Sequence, residues 1–295
     1  MHRFLTGSLS TDALTFEIAG LPGHLQGCKV TQLSDLHYDG LRLSEHMLAE
    51  AIARSNDLDP HIVVLTGDFV TDDPTPARQL GQRLRHLRSQ LGVYAVLGNH
   101  DIATPEAKEA IAGALTDAGI HVLWNEIAYP FGTALPLVGL ADFWSREFNP
   151  GLVLSQLEDS TPRIVLSHNP DSAIKLQSWR VDLQLSGHTH GGQVVLPGMG
   201  PLPTWYQRVR RWVPKSMRPW VPYMREDCYK VMKHWELAQG LHRVGSNMVY
   251  VNRGLGTYPP GRLFCPPELT VITLAAKAIA TVPVMAPLPT VLSLR

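Results

Sequence analysis

Cysteine is scarce in this chain: Cys28, Cys228 and Cys265 are the only three in 295 residues, widely spaced and without a C-x-x-C pair. That excludes a disulfide framework and a thiolate zinc site, and fits a reducing compartment. A charge excess is also missing, because 26 Lys and Arg balance 26 Asp and Glu. A global electrostatic case for nucleic acid therefore fails, and no nucleic acid is indicated as a partner. No unbroken hydrophobic run is long enough to span a bilayer. Ala278 to Leu294 is uncharged, but Pro283, Pro287 and Pro289 interrupt it, and its 17 residues fall short of the roughly 20 that a spanning helix needs. The opening MHRFLTGSLSTD holds no apolar stretch of signal-peptide length, so a cytoplasmic location is expected.

What is present is a globular balance, 44% apolar and 18% charged, enough for a sizeable core. Short β-branched runs alternate with helical patterns, which predicts an α/β layer architecture. Strands are expected at 14–18, 29–33, 61–65, 93–97, 121–124, 135–140, 163–166 and 182–185, then at 248–252 and 269–274. Leu43, Met47, Leu48, Ala51 and Ile52 make one helical stripe, and Leu80, Leu84, Leu87 and Leu91 a second. Thr75-Pro76 and Thr104-Pro105 read as helix starts, with a cap followed by proline in the first turn.

Five polar clusters each follow a predicted strand: Ser34-Asp35-Leu36-His37, Gly67-Asp68, Gly98-Asn99-His100-Asp101, His168-Asn169, and Gly187-His188-Thr189-His190-Gly191-Gly192. In open α/β sheets, ligands bind beyond the carboxyl ends of the strands, so the five point to one pocket. Alone, a Gly-Asp or Asn-His pair is usually a turn. All five in order are hard to produce by chance. Three aspartates, two asparagines and five histidines supply O and N donors for divalent metals and no thiolate. One tetrahedral site uses only three or four of these, so the inventory suggests two metals sharing a carboxylate, with Asp68 on the central cluster suited to the bridge.

The ordered set D-x-H, G-D, G-N-H-D, H, G-H-x-H resembles that of the calcineurin-like metallophosphoesterases. The phrases SDLHYDG, LTGDFV, LGNHD, SGHTHGGQ and VNRGLGT resemble their bacterial YkuE- and YaeI-type phosphodiesterases. This implies a β-sandwich of two mixed sheets flanked by helices, with the dimetal site at the C-terminal strand ends. It also implies one metal held by Asp35, His37, Asp68 and His190, and a second held by Asp68, Asn99, His168 and His188. His100 takes the place of the family's catalytic histidine, with Asp101 orienting its ring. The domain would cover 1–275, with an insertion at about 197–238 and an Ala/Pro-rich tail over 276–295.

Such a site would hydrolyse a phosphate ester with a hydroxide bridging two divalent ions, manganese first and iron or zinc next. Phosphoprotein phosphatases of the same superfold carry an arginine shortly after Gly-Asp. Here Gly67-Asp68 is followed by Phe69-Val70-Thr71-Asp72-Asp73. A monoester dianion benefits most from a bidentate guanidinium, so a phosphodiester or pyrophosphate is expected. A phosphomonoesterase, or a metal-stabilised scaffold without turnover, are the alternatives. Arg146 and Arg253 are candidate substrate contacts, while Gly254-Leu255-Gly256 reads as a turn rather than a phosphate loop. From Trp205 to Trp235, eight Lys or Arg face two acids and four of the seven tryptophans occur. This aromatic and basic stretch is a candidate for peripheral contact with an anionic membrane, and thereby for an amphiphilic or nucleotide-linked lipid substrate. No protein partner is indicated.

Overall fold

The computed structural model describes residues 6–71, 73–220 and 232–277. The tail expected over 276–295, past Lys277, lies outside the described residues. So do Cys228, Asp72 and the part of the insertion that carries Tyr223, Glu226, Asp227 and Tyr229.

In chain order the first strands are β1 (Ser10–Ile18), β2 (Lys29–Leu33), β3 (Ile62–Leu65), β4 (Val93–Ala95), β5 (Ile120–Val122), β6 (Glu126–Ala128) and β7 (Leu137–Gly139). They are followed by β8 (Ile164–Leu166), β9 (Leu183–Ser186), β10 (Val195–Leu196), β11 (Gly200–Pro201), β12 (Gly240–Val244), β13 (Asn247–Val251) and β14 (Glu268–Ala276). One six-stranded sheet runs β1-β14-β2-β3-β4-β5 and the other β12-β13-β9-β8-β7-β6, while β10 and β11 form a separate small hairpin. Both sheets are mixed. β2 to β5 are parallel neighbours, as are β13, β9, β8 and β7, whereas β14 runs antiparallel to β2 and β6 to β7.

Period-two alternation places the layers. Ile62 and Val64 of β3 point into the core between the sheets, with Val30, Ile164, Leu183, Leu185 and Ile272. Val63 and Leu65 point the other way, into a second core with Leu48, Ala51, Leu80, Ile111 and Leu115. These last belong to helices α1 (Glu45–Asp57), α2 (Ala77–Leu84) and α3 (Pro105–Asp117). A strand buried on both faces reads as an unbroken apolar run such as Ile62-Val63-Val64-Leu65, and each such side chain contributes about 1.5–3 kcal/mol of burial. On the outer face of the second sheet, Val138 and Val165 pack with Val153 and Leu154 of the short α4 (Pro150–Leu154) and with Leu176, just past α5 (Ser172–Lys175).

Thr104 caps α3 as expected, its hydroxyl accepting from Ala107 N at 3.2 Å. Thr75 does not cap α2. Its own N–H and hydroxyl donate to Asp73 at 2.9 and 2.6 Å, and the helix starts two residues later, after Pro76. The aspartate two residues upstream captures those groups first. Leu87 and Leu91 lie beyond the end of α2, and Leu91 is exposed. In the insertion, α6 (Leu202–Trp212) tolerates Pro203 in its first turn and stops before Pro214, with Val213 extended as a residue before proline must be.

Candidate functional site

The parallel strands of both sheets end on one edge, and their loops meet there. Asp35 and His37 follow β2, Asp68 follows β3, and Asn99, His100 and Asp101 follow β4. His168 follows β8, and His188 and His190 follow β9. The loops are tied by backbone hydrogen bonds: Asp35 N to Gly67 O at 2.9 Å, His37 N to Asp68 O at 3.0 Å, and Gly187 N to His168 O at 2.9 Å. Gln32 joins the sheets beneath, donating to Thr66 Oγ1 at 3.0 Å and to Ser186 O at 2.9 Å.

Asp35, His37, Asp68, His188 and His190 all adopt positive φ, between 43° and 71°. Non-glycine residues held there cost on the order of 1–3 kcal/mol each, and persist only where the surroundings fix them. Packing is tight enough to require glycine. A Cβ at Gly187 would stand 2.2 Å from Asp35 Oδ2, and one at Gly98 would stand 2.2 Å from Asp68 Oδ1.

Two donor groups result. Asp35, His37 and His190 each offer an atom within 4.8 Å of the others, and so do Asp68, His168 and His188; all six are buried. His37 Nε2 and His190 Nε2 are 3.1 Å apart, and His188 Nδ1 and His168 Nε2 are 3.2 Å apart. Asp68 Oδ2 reaches both groups, 3.6 Å from His37 Nε2 and 3.1 Å from His168 Nε2. His190 Nδ1 faces the Gly256 carbonyl at 3.1 Å and His168 Nδ1 faces the Thr66 carbonyl at 2.6 Å. A carbonyl only accepts, so these nitrogens carry protons. Nε2 of the neutral His190 ring is then a lone pair turned inward, as a metal ligand requires. At His168, burial opposes the charged form but Asp68 raises the ring to about 10, so its Nε2 sheds a proton when it serves as a ligand. Asn99 Oδ1 is buried with no hydrogen-bond partner among the described residues. An orphaned oxygen beside buried carboxylates and imidazole lone pairs is what a divalent cation satisfies. The donor set therefore fits two metals.

Burial dominates the electrostatics. It pushes the Asp35 carboxyl up to about 6, with His168 opposing, and Asp101 up to about 7, with Asp68 adding repulsion. Asp142, also buried nearby, rises to about 6. Burial drives His37 down to about 3 and lowers His190 too. For Asp68, burial is outweighed by His168 and His37, which hold its carboxyl below the usual range. Crowding carboxylates in a dry pocket calls for positive charge among them.

His100 stands at the rim. Its N–H donates to Asp68 Oδ1 at 3.0 Å, and its Nδ1 lies 2.6 Å from the Thr71 carbonyl. This corrects the role expected of Asp101. Both Asp101 oxygens accept backbone N–H groups instead, from Phe69 at 2.8 Å, Val70 at 3.3 Å and Gly98 at 2.9 Å, so it fixes two loops while Thr71 orients the ring. The two arginines expected to meet substrate do not line the cleft. Arg253 pairs with Asp12 at 3.0 Å and Glu268 at 3.1 Å, and Arg146 is exposed outside the cavity. Gly254 to Gly256 serve as a turn on the Asp35 loop, with Leu255 N donating to Ser34 O and Gly256 N to Asp35 O at 2.7 Å.

A cavity of about 860 Å³ opens over the site, lined by Asp68, Asn99, His100, His188 and His190 on one side and by α6 on the other. Tyr258, also in the lining, places its hydroxyl 3.1 Å from His37 Nδ1 and its ring 4.4 Å from the Arg42 guanidinium carbon. Sequence reasoning missed Tyr258, although it directly follows VNRGLGT. Thr71 was out of reach, because it acts through a carbonyl that any residue has.

The chain is also similar in sequence to known proteins. The family model for calcineurin-like phosphoesterases matches residues 28–192. The metallophosphoesterase YkuE of Bacillus subtilis is 30% identical over 90% of this chain and 85% of its own. Phosphodiesterase YaeI of Escherichia coli is 32% identical, covering 83% and 82%, and the UDP-2,3-diacylglucosamine pyrophosphatase LpxG of Chlamydia trachomatis is 27% identical, covering 84% of each. With two donor groups sharing one carboxylate at the strand ends, and a family model matched across the loops that carry them, the chain belongs to the calcineurin-like phosphoesterases and is a metal-dependent phosphoric ester hydrolase.

Proposed function

We propose that the protein hydrolyses a phosphodiester or pyrophosphate bond in an amphiphilic substrate at the surface of an anionic membrane. The observation that carries this is the shared cavity, in which the two donor groups face an apolar wall of Leu202, Pro203, Tyr206, Trp144 and Trp235. One relative, LpxG, is by its name a pyrophosphatase for a diacylated nucleotide sugar. On the insertion whose helix α6 walls the cavity, Met199, Trp205, Trp212, Met217 and Trp220 are exposed, interleaved with exposed Arg208, Arg211 and Lys215. Leu263 and Phe264, next to the bridge from Leu263 to Val194, are exposed as well. Aromatic rings settle at the polar boundary of a bilayer, and each basic residue near an anionic surface adds roughly 1 kcal/mol. Among the described residues no helix is long and apolar enough to cross a membrane, so the contact is peripheral.

In this reading Asp35, His37, Asp68 and His190 hold one divalent metal, and Asp68, Asn99, His168 and His188 the other. Manganese suits this thiolate-free set best, with iron and zinc next. When bound, the two cations activate water and neutralise the phosphoryl oxygens. The protein does the rest. Asp101 locks the Gly98 and Phe69 loops, so Asn99 and His100 arrive at fixed positions. Thr71 holds His100 by Nδ1, leaving Nε2 to donate a proton to a phosphoryl oxygen or the leaving alkoxide. The apolar wall excludes water and takes the non-reacting part of the substrate. The test is hydrolysis of bis-p-nitrophenyl phosphate and p-nitrophenyl phosphate by Mn²⁺-reconstituted protein. Metal-dependent turnover favouring the diester supports the reading. A monoester preference makes the protein a phosphomonoesterase, and no turnover of either leaves a scaffold.

A further inference from the structure

The face that α6 turns to the site carries a charge that the Gly-Asp loop lacks. Leu202, Pro203, Tyr206, Gln207 and Arg210 follow helical spacing and line the cavity, whereas Trp205, Arg208, Arg211 and Trp212 face solvent. After Asp68, Phe69 and Val70 are both buried at 1% exposure, and the guanidinium that reaches this loop, that of Arg42 at Thr71, pairs with Asp39 and does not line the cavity. Among the described residues lining the cavity, Arg210 carries the only permanent positive charge. Two metals in the donor groups would neutralise the phosphoryl group under attack. A further anionic group in the same cleft would meet Asp68 and the buried carboxylates around it unless it had its own cation. A planar guanidinium binds phosphate oxygens in pairs, which gives both charge and orientation.

We infer that Arg210 binds a second phosphoryl group of the substrate, so that the cleft selects a diphosphate diester over a diester with a single phosphate. This rests on the phosphoesterase reading above. It also divides the substrate along the cleft, with the attacked phosphorus at the donor groups, the second phosphate at Arg210, and an apolar portion along Leu202, Tyr206 and Trp235.

Competition against bis-p-nitrophenyl phosphate hydrolysis by the Mn²⁺-loaded protein tests the inference without requiring the competitor to turn over. The two competitors are diadenosine 5′,5′-diphosphate and the methyl ester of adenosine 5′-monophosphate. The parent protein is expected to bind the diphosphate roughly tenfold more tightly, as one charge-assisted bidentate contact allows. In R210Q that preference should collapse to near unity, while R78Q, an exposed arginine on α2, should keep it. Should R210Q fail to fold, R210K carries the test, because loss of the planar fork should reduce the preference to about a third of the parental value. A parent without preference, or an unchanged preference in both Arg210 variants, overturns the inference. Equal weakening of both competitors by R210Q also overturns it, since Arg210 would then grip the attacked phosphate. Absence of any metal-dependent hydrolysis by the parent instead defeats the phosphoesterase reading, and the inference falls with it.

Discussion

The two walls of the cleft are built on opposite principles. On the strand side, Asp35, His37, Asp68, His168, His188 and His190 are buried, and five of these six hold positive φ in loops stitched together by backbone hydrogen bonds. On the insertion side, α6 has no buried residue, no side-chain cap at its start, and tryptophans open to solvent. Hydrolysis needs donor atoms held to within a fraction of an ångström, which two sheets with a common edge can supply. Recognition of a bulky or membrane-bound ester needs surface that can differ among relatives without disturbing those atoms. Strain belongs on the first wall because only a rigid sheet edge can sustain it.

The largest expected effect strikes the point where the two donor groups join. Asp68→Asn should abolish turnover and lower bound metal, because Asp68 reaches both groups and a neutral amide cannot serve two cations. Metal analysis beside the activity assay reads both. Near-normal turnover with two metals bound would end the dimetal assignment.

His100→Ala should lower kcat by about 10² to 10⁴ with metal content kept, as expected for loss of a positioned proton donor. His100 lines the cavity from the rim rather than from within either donor group. A loss of metal in proportion to the loss of rate would move His100 into the ligand set.

Asp101→Asn sharpens the contrast between holding and reacting. Its two oxygens accept three backbone N–H groups, and an amide would turn its own NH₂ against at least one of them. The expected cost is about 2–4 kcal/mol of stability, combining a lost charge-assisted bond with an unsatisfied buried donor. Thermal unfolding of the metal-loaded variant measures it. An unchanged melting temperature together with an altered pH-rate profile would return Asp101 to the role of partner for the His100 ring.

The same division explains what could be read in advance. Strands buried on both faces, such as Ile62 to Leu65 and Ile164 to Leu166, show as unbroken apolar runs, and the donor clusters show because chemistry restricts which side chains can serve. The polar edge strand β12, whose burial alternates with His242 and Arg243, did not stand out, and neither did the three-residue β6. The ring partner of His100 was misassigned to its neighbour Asp101 because adjacency in sequence hides which way a carboxylate turns. Arg253 looked like a substrate contact, while the acids that capture it come from two separate strands, Asp12 from β1 near the start of the chain and Glu268 from β14. Arg210 was grouped with the basic residues around it, and only helical spacing in three dimensions separates its face from theirs.

The smallest effect on soluble turnover is expected from the outer face of α6 and the turn after it. Arg208, Arg211 and Lys215 are exposed there with Trp212, which is 87% exposed. Replacing the three basic residues with Gln removes about 3 kcal/mol of attraction to an anionic bilayer, at roughly 1 kcal/mol per charge, so vesicle partitioning should fall on the order of a hundredfold. Hydrolysis of bis-p-nitrophenyl phosphate in free solution should change less than about twofold, because surface substitutions away from a site leave its geometry in place. Trp212→Ala should weaken partitioning without making it less sensitive to salt, since the ring contributes an interfacial contact and no charge. Flotation with vesicles containing phosphatidylserine, at low and high salt, separates the two contributions. If the parent protein does not float, or floats equally well after the triple change, the outer face of α6 is only the back of the wall that carries Arg210, and its tryptophans answer to no membrane.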